Sequence, residues 1–95
     1  MYQEEHFYRG QVFVRINKHK AKAMFKQGET ILLLQSNMQL DNMWQAPYPV
    51  SRFMDCVTLG HTFDNIVNEF MYYNCDAERG YNVKYYVKKR VLKSI

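Results

Sequence analysis

The stretch NVKYYVKKR, residues 82–90, concentrates side chains that could bind nucleic acid, with two tyrosines and four cations in nine residues. Aromatic rings stack on bases, and cations neutralise phosphates. On a strand, alternate residues share one face, and a neighbouring strand at 11–17 would add its own alternate residues to that face. The pattern therefore predicts an open basic and aromatic sheet face, formed by Phe13, Arg15, Lys84, Tyr86 and Lys88.

The same pattern also fits an ordinary half-buried strand. Phe13 and Tyr86 would then form a cross-strand pair, worth about 0.2–1 kcal/mol, while lysines would keep a sheet edge from aggregating. Arg79-Gly80-Tyr81 matches the first three positions of the RNA-binding signature K/R-G-F/Y-G/A-F-V-x-F/Y, but residues 82–84 do not continue it, so the complete signature is absent. The net charge of +4 is modest for an RNA-binding protein. Nucleic-acid binding is therefore the second of two functional hypotheses.

The first hypothesis comes from the aromatic residues outside this stretch. The chain has eight tyrosines and one tryptophan, with tyrosine pairs at 72–73 and 85–86. Tyr and Trp are enriched in protein–protein interfaces because they bury a large area with few rotatable bonds. We expect a partner-binding surface that includes Trp44, Tyr48, Tyr72 and Tyr86, although Trp44 could equally close one end of the core.

Patterns for catalysis or cofactor binding are weak. Four glycines leave little room for a phosphate-binding loop. His6, His19 and His61 have no second His or Cys at i+3 or i+4, so we expect no metal and no other cofactor. Cys56 and Cys75 are too few for a disulfide scaffold, and Cys75 follows a predicted helix end, a poor setting for a nucleophilic thiolate. We expect both thiols to be reduced and the protein not to be an enzyme.

The composition is that of a folded domain, with 47% hydrophobic and 16% aromatic residues. The length predicts a single domain over 1–95, with an N-terminal arm at 1–9 and a tail at 90–95. The longest apolar run, ILLL at 31–34, is far shorter than the about 20 residues that cross a bilayer. The first residues lack a signal-peptide pattern. We therefore expect a cytoplasmic protein that does not bind membranes.

Hydrophobic periodicity predicts the strands that position the candidate side chains. A period of two over 11–17 and over 81–88 indicates strands. The apolar run at 30–35 indicates a strand covered on both faces. The segment 38–52 contains Pro47 and Pro49, so any strand in it must be short or lie at an edge of the sheet, and extended chain outside the sheet is the alternative.

Two helices are predicted between these strands. Asn17 is a good N-cap and Gly28 a good C-terminal residue for a short helix with an apolar stripe at Ala21, Met24 and Phe25. A second helix should begin at Thr62, with Asp64 in its first turn. Its apolar residues recur at helical spacing, in the order Phe63, Ile66, Val67, Phe70 and Met71.

The resulting order of strand, helix, two strands, helix and strand predicts an α+β fold. Such an order is typical of the βαββαβ, ferredoxin-like unit, an antiparallel sheet with two helices on one face. First and last strands are neighbours in that unit. Residues 9–26 and 79–95 each carry six cations and no acid, so pairing them would give the molecule a basic side.

The segments NMWQAPYPV and TFDNIVNEFMYYNCDAERGYNVKYYV are similar to a family of small uncharacterised proteins. Those proteins are encoded on phages, plasmids and integrative elements of Gram-positive bacteria. The resemblance covers about residues 31–87, and YYNCDAERG is its most distinctive part. The resemblance does not extend to the N-terminal MYQEEHFYRG or to the tail KKRVLKSI.

The resemblance implies a function that depends on binding a host protein. Small proteins of mobile elements often bind a host protein, and some inhibit restriction or CRISPR nucleases. Many such inhibitors imitate DNA with dense negative charge, whereas this chain has a pI of about 9.1. We therefore expect a non-enzymatic inhibitor of a host defence system, of anti-CRISPR or anti-restriction type, that acts by protein–protein contact. Such an inhibitor would cover a protein surface or contact guide RNA.

Overall fold

The structure is a computed structural model that describes residues 5–36, 38, 40, 47–74 and 82–93. This part of the chain forms five strands and four helices. In chain order they are β1 (Glu5–Tyr8), β2 (Gln11–Ile16), α1 (Lys18–Lys26), β3 (Ile31–Gln35), β4 (Tyr48–Val50), α2 (Asp55–Thr58), α3 (Phe63–Asn74), β5 (Val83–Lys88) and α4 (Lys89–Lys93). None of these helices is long and apolar enough to cross a bilayer.

The strands form one antiparallel sheet in the order β1-β2-β5-β3-β4. The α+β class is confirmed, but the ferredoxin-like strand order is not found. Strand β5 lies at the centre of the sheet, between β2 and β3. Its first five residues are all buried, and a strand that is buried on both faces is most stable where it also has a neighbour on each side.

The predicted pairing of the first long strand with the last one is confirmed. Val14 lies opposite Val87, and Arg15 lies opposite Tyr86, in the antiparallel register of β2 and β5. The two acid-free segments of the sequence therefore meet in the sheet, as the distribution of charge suggested.

The chain ends take more part in the fold than expected. Residues 5–8 of the predicted arm form β1, which pairs with β2 through the two-residue turn Arg9-Gly10. Both turn residues have positive φ, 49° for Arg9 and 78° for Gly10, as a tight hairpin requires. Residues 90–93 of the predicted tail belong to α4, whose Val91 packs against the core.

Both predicted helix starts are confirmed by their capping hydrogen bonds. The side chain of Asn17 accepts from the backbone N–H of Lys20 at 2.8 Å, at the start of α1. At the start of α3, the Thr62 hydroxyl accepts from the N–H of Asn65 at 3.2 Å, and the Asn65 side chain accepts from the N–H of Thr62 at 3.2 Å. This reciprocal pair satisfies two backbone donors that the helix itself leaves unpaired.

The main core lies between the helices and one face of the sheet. The predicted stripes of α1 and α3 are buried there, with Met71 partly buried. The sheet contributes Val14, Ile16, Ile31, Leu33, Val50, Val83, Tyr85 and Val87. Partly buried side chains of α2 and α4 pack against the same core, so more than the two expected helices cover this face.

A second apolar cluster covers the opposite face, which was expected to be open. It consists of Phe13, Leu32, Leu34, Leu40 and Tyr86, with Tyr8 and Met38 packed against it. Leu40 belongs to the connection between β3 and β4 and is fully buried. The physical reason is the apolar run of β3, because Leu32 and Leu34 point away from the main core and require a cover of their own.

Candidate functional site

The four residues predicted to bind a partner are not brought together as a set. Tyr48 and Tyr72 are exposed, with 44% and 81% of their surface accessible. Tyr86 is fully buried in the second cluster, so its predicted exposure is wrong. Trp44 lies outside the described residues. The remaining surface candidates therefore lie on β4 and on the last turn of α3.

An aromatic groove lies between β4, α2 and α3. Its volume is about 310 Å³, and it is lined by Tyr48, Cys56, Ile66, Glu69, Phe70 and Tyr73. The rings of Tyr48 and Phe70 are stacked, with centroids 6.1 Å apart and planes inclined by 17°. Phe70 belongs to the main core, so one wall of the groove is anchored to the interior of the protein.

A pair of exposed tyrosines extends this groove at the C-terminal end of α3. The rings of Tyr72 and Tyr73 are in edge contact, with centroids 4.9 Å apart. Tyr73 is 77% exposed and was not among the sequence candidates. Its spacing was informative, because Tyr73 follows Phe70 by three residues and Ile66 by seven and so continues the flank of the buried stripe.

The five residues of the predicted nucleic-acid face differ strongly in accessibility. Phe13, Lys84 and Tyr86 are 7%, 5% and 0% exposed, so their predicted exposure is wrong. Arg15 is exposed and Lys88 is half-buried. The prediction treated the face as open, whereas Leu40, Tyr8 and Met38 pack over it, and His6 contacts the Tyr86 ring edge-on at 5.4 Å. Base stacking on Tyr86 would require that this cover open.

Ion pairs reduce the number of cations that the acid-free segments present to a partner. Lys22 and Lys18 of α1 lie 2.7 and 3.6 Å from the carboxylate of Asp64 in α3. Lys89 lies 2.8 Å from Glu5. The hydrogen bond from Lys22 and the charges of both lysines lower the pKa of Asp64 below its usual value. These cations contribute to packing of the helices and hairpin as well as to the basic character of the surface.

Residues suited to metal or thiol chemistry are dispersed. Among the residues that the structure describes, no group of three His, Cys, Asp or Glu side chains could hold a metal ion. Cys56 is a free, half-buried thiol in the wall of the aromatic groove. Cys75 lies outside the described residues.

Comparison with known proteins gives no assignment. No protein-family model matches the chain, no curated protein is significantly similar to it in sequence, and no solved structure is significantly similar to its fold.

Proposed function

We propose that this protein is a non-enzymatic binding protein that docks another protein into its aromatic groove. The observation that carries the proposal is the position of Tyr72 and Tyr73, which are 81% and 77% exposed beside a groove of about 310 Å³. Large exposed aromatic side chains next to an apolar depression are typical of interaction sites rather than of inert surface.

The groove has the features of a binding hot spot. Tyr48 is held by its stacking on Phe70, so little side-chain entropy is lost when a partner covers it. Tyrosine hydroxyls at the rim can exchange hydrogen bonds with a partner backbone while the rings bury apolar area. Glu69 supplies a carboxylate at the same groove. The partner that fits would insert an apolar side chain and present a cation or amide donor beside it.

The biological partner that we propose is a host protein of a bacterial defence system. The support for this step is the resemblance of residues 31–87 to small proteins of phages and other mobile elements. All residues that line the aromatic groove lie within that span. The groove therefore belongs to the part of the chain that resembles those proteins. A basic chain with a pI of about 9.1 is unsuited to imitating DNA, whereas an aromatic docking surface is suited to covering a protein site.

Affinity capture followed by reconstitution tests this proposal. The full chain is immobilised and exposed to nuclease-treated lysate of a Gram-positive bacterium that carries restriction and CRISPR systems, and each captured protein is then purified and titrated by calorimetry. Hot-spot tyrosines typically contribute 2 kcal/mol or more. We therefore expect Tyr73→Ala and Tyr48→Ala each to weaken binding by roughly thirty-fold or more.

Leu59→Ala is the matched control, because Leu59 is 81% exposed but does not line the groove. It should leave the affinity unchanged, and all three variants should retain the wild-type melting curve within a few degrees. A purified partner that binds the tyrosine variants as tightly as the wild type would contradict the proposed site. Capture from an untreated lysate that is lost after nuclease treatment would contradict protein–protein contact as the mode of action.

A further inference from the structure

A second depression lies on the opposite face of the sheet. In β4, Tyr48 pairs with Leu33 of the main core, whereas its neighbour Pro49 pairs with Leu32 of the second cluster. Adjacent strand residues point to opposite faces. Pro49 therefore lies behind the sheet when seen from the aromatic groove, where it lines a pocket of about 520 Å³. This volume is in the range of pockets that hold small organic ligands.

Apolar side chains form much of the wall of this pocket. Phe13 and Leu32 come from two strands that flank β5, and Pro47 and Pro49 close the side toward β4. The Tyr8 ring packs against Phe13 with centroids 6.1 Å apart. Aromatic and prolyl rings of this kind pack well against the faces of a planar ring system and make fewer contacts with a flexible chain.

Two cations, Arg9 and Lys88, lie at the rim of the same pocket. Lys88 lies directly opposite Phe13 in the register of β2 and β5, and the Arg9 guanidinium lies over the Tyr8 ring at 5.4 Å. Within the described part of the chain, no carboxylate lies within ion-pair distance of either cation. Glu29 shares a small neighbouring cavity with Lys88, but it does not form an ion pair with it.

The backbone at Arg9 provides a second, independent observation. Arg9 has φ of 49°, which is uncommon for a residue with a long side chain, and the first position of such a turn normally carries Asn, Asp or Gly. A strained conformation often marks a functional position. The turn conformation holds the guanidinium beside the pocket, where Asn or Gly would relieve the strain and remove the charge.

We propose that this pocket binds a nucleotide, with the base against Phe13, Leu32 and the prolines and the phosphate between Arg9 and Lys88. A planar apolar ring joined to an anion matches both halves of the pocket, and Gln11 and Thr30 in its lining can exchange hydrogen bonds with a base edge or sugar. The nucleotide can be free or the terminal unit of a single-stranded nucleic acid, because the chemistry that the pocket contacts is the same. The site is distinct from the aromatic groove, so it does not rest on the protein-binding function.

Calorimetric titration of the full chain with matched probes tests the proposal. Adenosine 5′-monophosphate supplies base and phosphate, adenosine supplies the base alone, and inorganic phosphate supplies the anion alone. A phosphate that is held by charged hydrogen bonds should add roughly ten-fold or more to the affinity. We therefore expect the monophosphate to bind at least about ten-fold more tightly than adenosine or phosphate.

Two substitutions separate the contribution of charge from that of folding. Lys88→Met keeps most of the aliphatic side chain, and Arg9→Asn places a residue that tolerates positive φ in the turn. Each should weaken binding of the monophosphate by about ten-fold and leave binding of adenosine unchanged. Lys20→Met, which removes an exposed cation of α1, should leave both affinities unchanged.

Three results would overturn the nucleotide site: no binding of the monophosphate at millimolar concentration, equal binding of monophosphate and adenosine, or an equal loss in Lys20→Met and Lys88→Met.

Titration with a 5′-phosphorylated hexadeoxyadenylate distinguishes a free nucleotide from the terminal unit of a single-stranded nucleic acid. Tighter binding than that of the monophosphate, with the same dependence on Lys88, supports the site and identifies single-stranded nucleic acid. Weaker binding with that dependence supports a free nucleotide. Tyr73→Ala should bind the monophosphate like the wild type. A negative result for protein binding at the aromatic groove is therefore distinguishable from a negative result for nucleotide binding at this pocket.

Discussion

Asp64, in the first turn of α3, accepts a 2.7 Å hydrogen bond from Lys22 of α1 and lies 3.6 Å from Lys18. This carboxylate has a role at both helices. It lies at the positive end of the α3 dipole, where a negative charge is favourable. It also pairs with Lys18 in the first turn of α1, a helix without an acid in that turn, where positive charge is unfavourable.

Replacement of Asp64 by Asn should therefore lower stability in a pH-dependent way. The pKa of Asp64 is lowered in the folded state from 3.8, so its stabilisation is fully present above the pKa of the unfolded chain and is lost as pH falls through the folded pKa. Thermal melts should show a small deficit for Asp64→Asn at pH 6–7 that shrinks as the pH falls below 3.8 and is absent below the folded-state pKa.

The control for this experiment is Asp55→Asn, which removes an exposed carboxylate in the first turn of α2 that forms no ion pair with any described residue. Its deficit should be smaller than that of Asp64→Asn at neutral pH. Because exposed ion pairs are screened by salt, 1 M NaCl should also reduce the Asp64→Asn deficit. A deficit that grows as the pH falls would contradict the assigned sign.

The buried face of α3 should dominate stability. Phe63 and Phe70 are 3% and 6% exposed, and Phe63 contacts Phe25 of α1 with ring centroids 5.0 Å apart. Truncation of either to Ala should cost about 3–5 kcal/mol in the free energy of unfolding by urea. Tyr72→Ala, on the exposed side of the same helix, should change it by less than about 0.5 kcal/mol. Equal effects of Phe70→Ala and Tyr72→Ala would show that the helix face is misassigned.

The second cluster makes Tyr86 a core residue. Tyr86 is fully buried and lies opposite both Arg15 and Leu32 in the sheet. Tyr86→Ala should lower the free energy of unfolding by about 3–5 kcal/mol, as for other buried aromatic side chains. Chemical denaturation measures this loss. A variant with wild-type stability would mean that the face is open in solution, as base stacking on Tyr86 would require.

The reciprocal cap of α3 should show coupling between its two residues. Thr62→Ala removes the acceptor for the Asn65 N–H and should cost about 1 kcal/mol. Asn65→Ala removes the acceptor for the Thr62 N–H, and the double variant should cost less than the sum of the single ones because each side chain also hydrogen-bonds the other, at 3.0 Å. Asn68→Ala, an exposed site within the same helix, should be neutral or slightly stabilising. Strict additivity in urea denaturation would contradict the coupling.

Helices α1 and α3 could be predicted from the sequence because their signals are local. Asn17 and Thr62 cap helices whose buried faces repeat every three or four residues, and each of these interactions spans less than about two turns. Pro49 limited any strand in its segment to a short one or an edge one, since proline cannot donate to a neighbouring strand, and β4 is both. The run of β3 indicated that both faces of the sheet are covered. The open face predicted for β5 conflicted with that indication, and the structure resolves the conflict in favour of β3.

The candidate sites could be predicted only in part. Tyr48 and Tyr72 were correctly expected to be exposed, but Tyr73 and the lining of the groove depend on how β4 docks beside α3. Phe13 and Lys88 were assigned to one face by their alternation, and their register confirms it. Their pocket also needs Tyr8 and Arg9, which came from a segment expected to be an arm. Alternation along a strand predicts which side chains share a face, but it carries no information about what covers that face.

By itself, the sequence determined the bounds of α1, the start of α3, the buried stripes of these two helices and the strand character of residues 11–16, 31–35 and 83–88, because these follow from propensities and periodicities within short windows. Only the tertiary structure decided that β5 is central, that β1 joins the sheet and that Tyr86 is enclosed. Backbone pairing is nearly independent of side-chain identity, so several strand orders satisfy the same local patterns. The order adopted is the one that covers both apolar faces of the sheet at once.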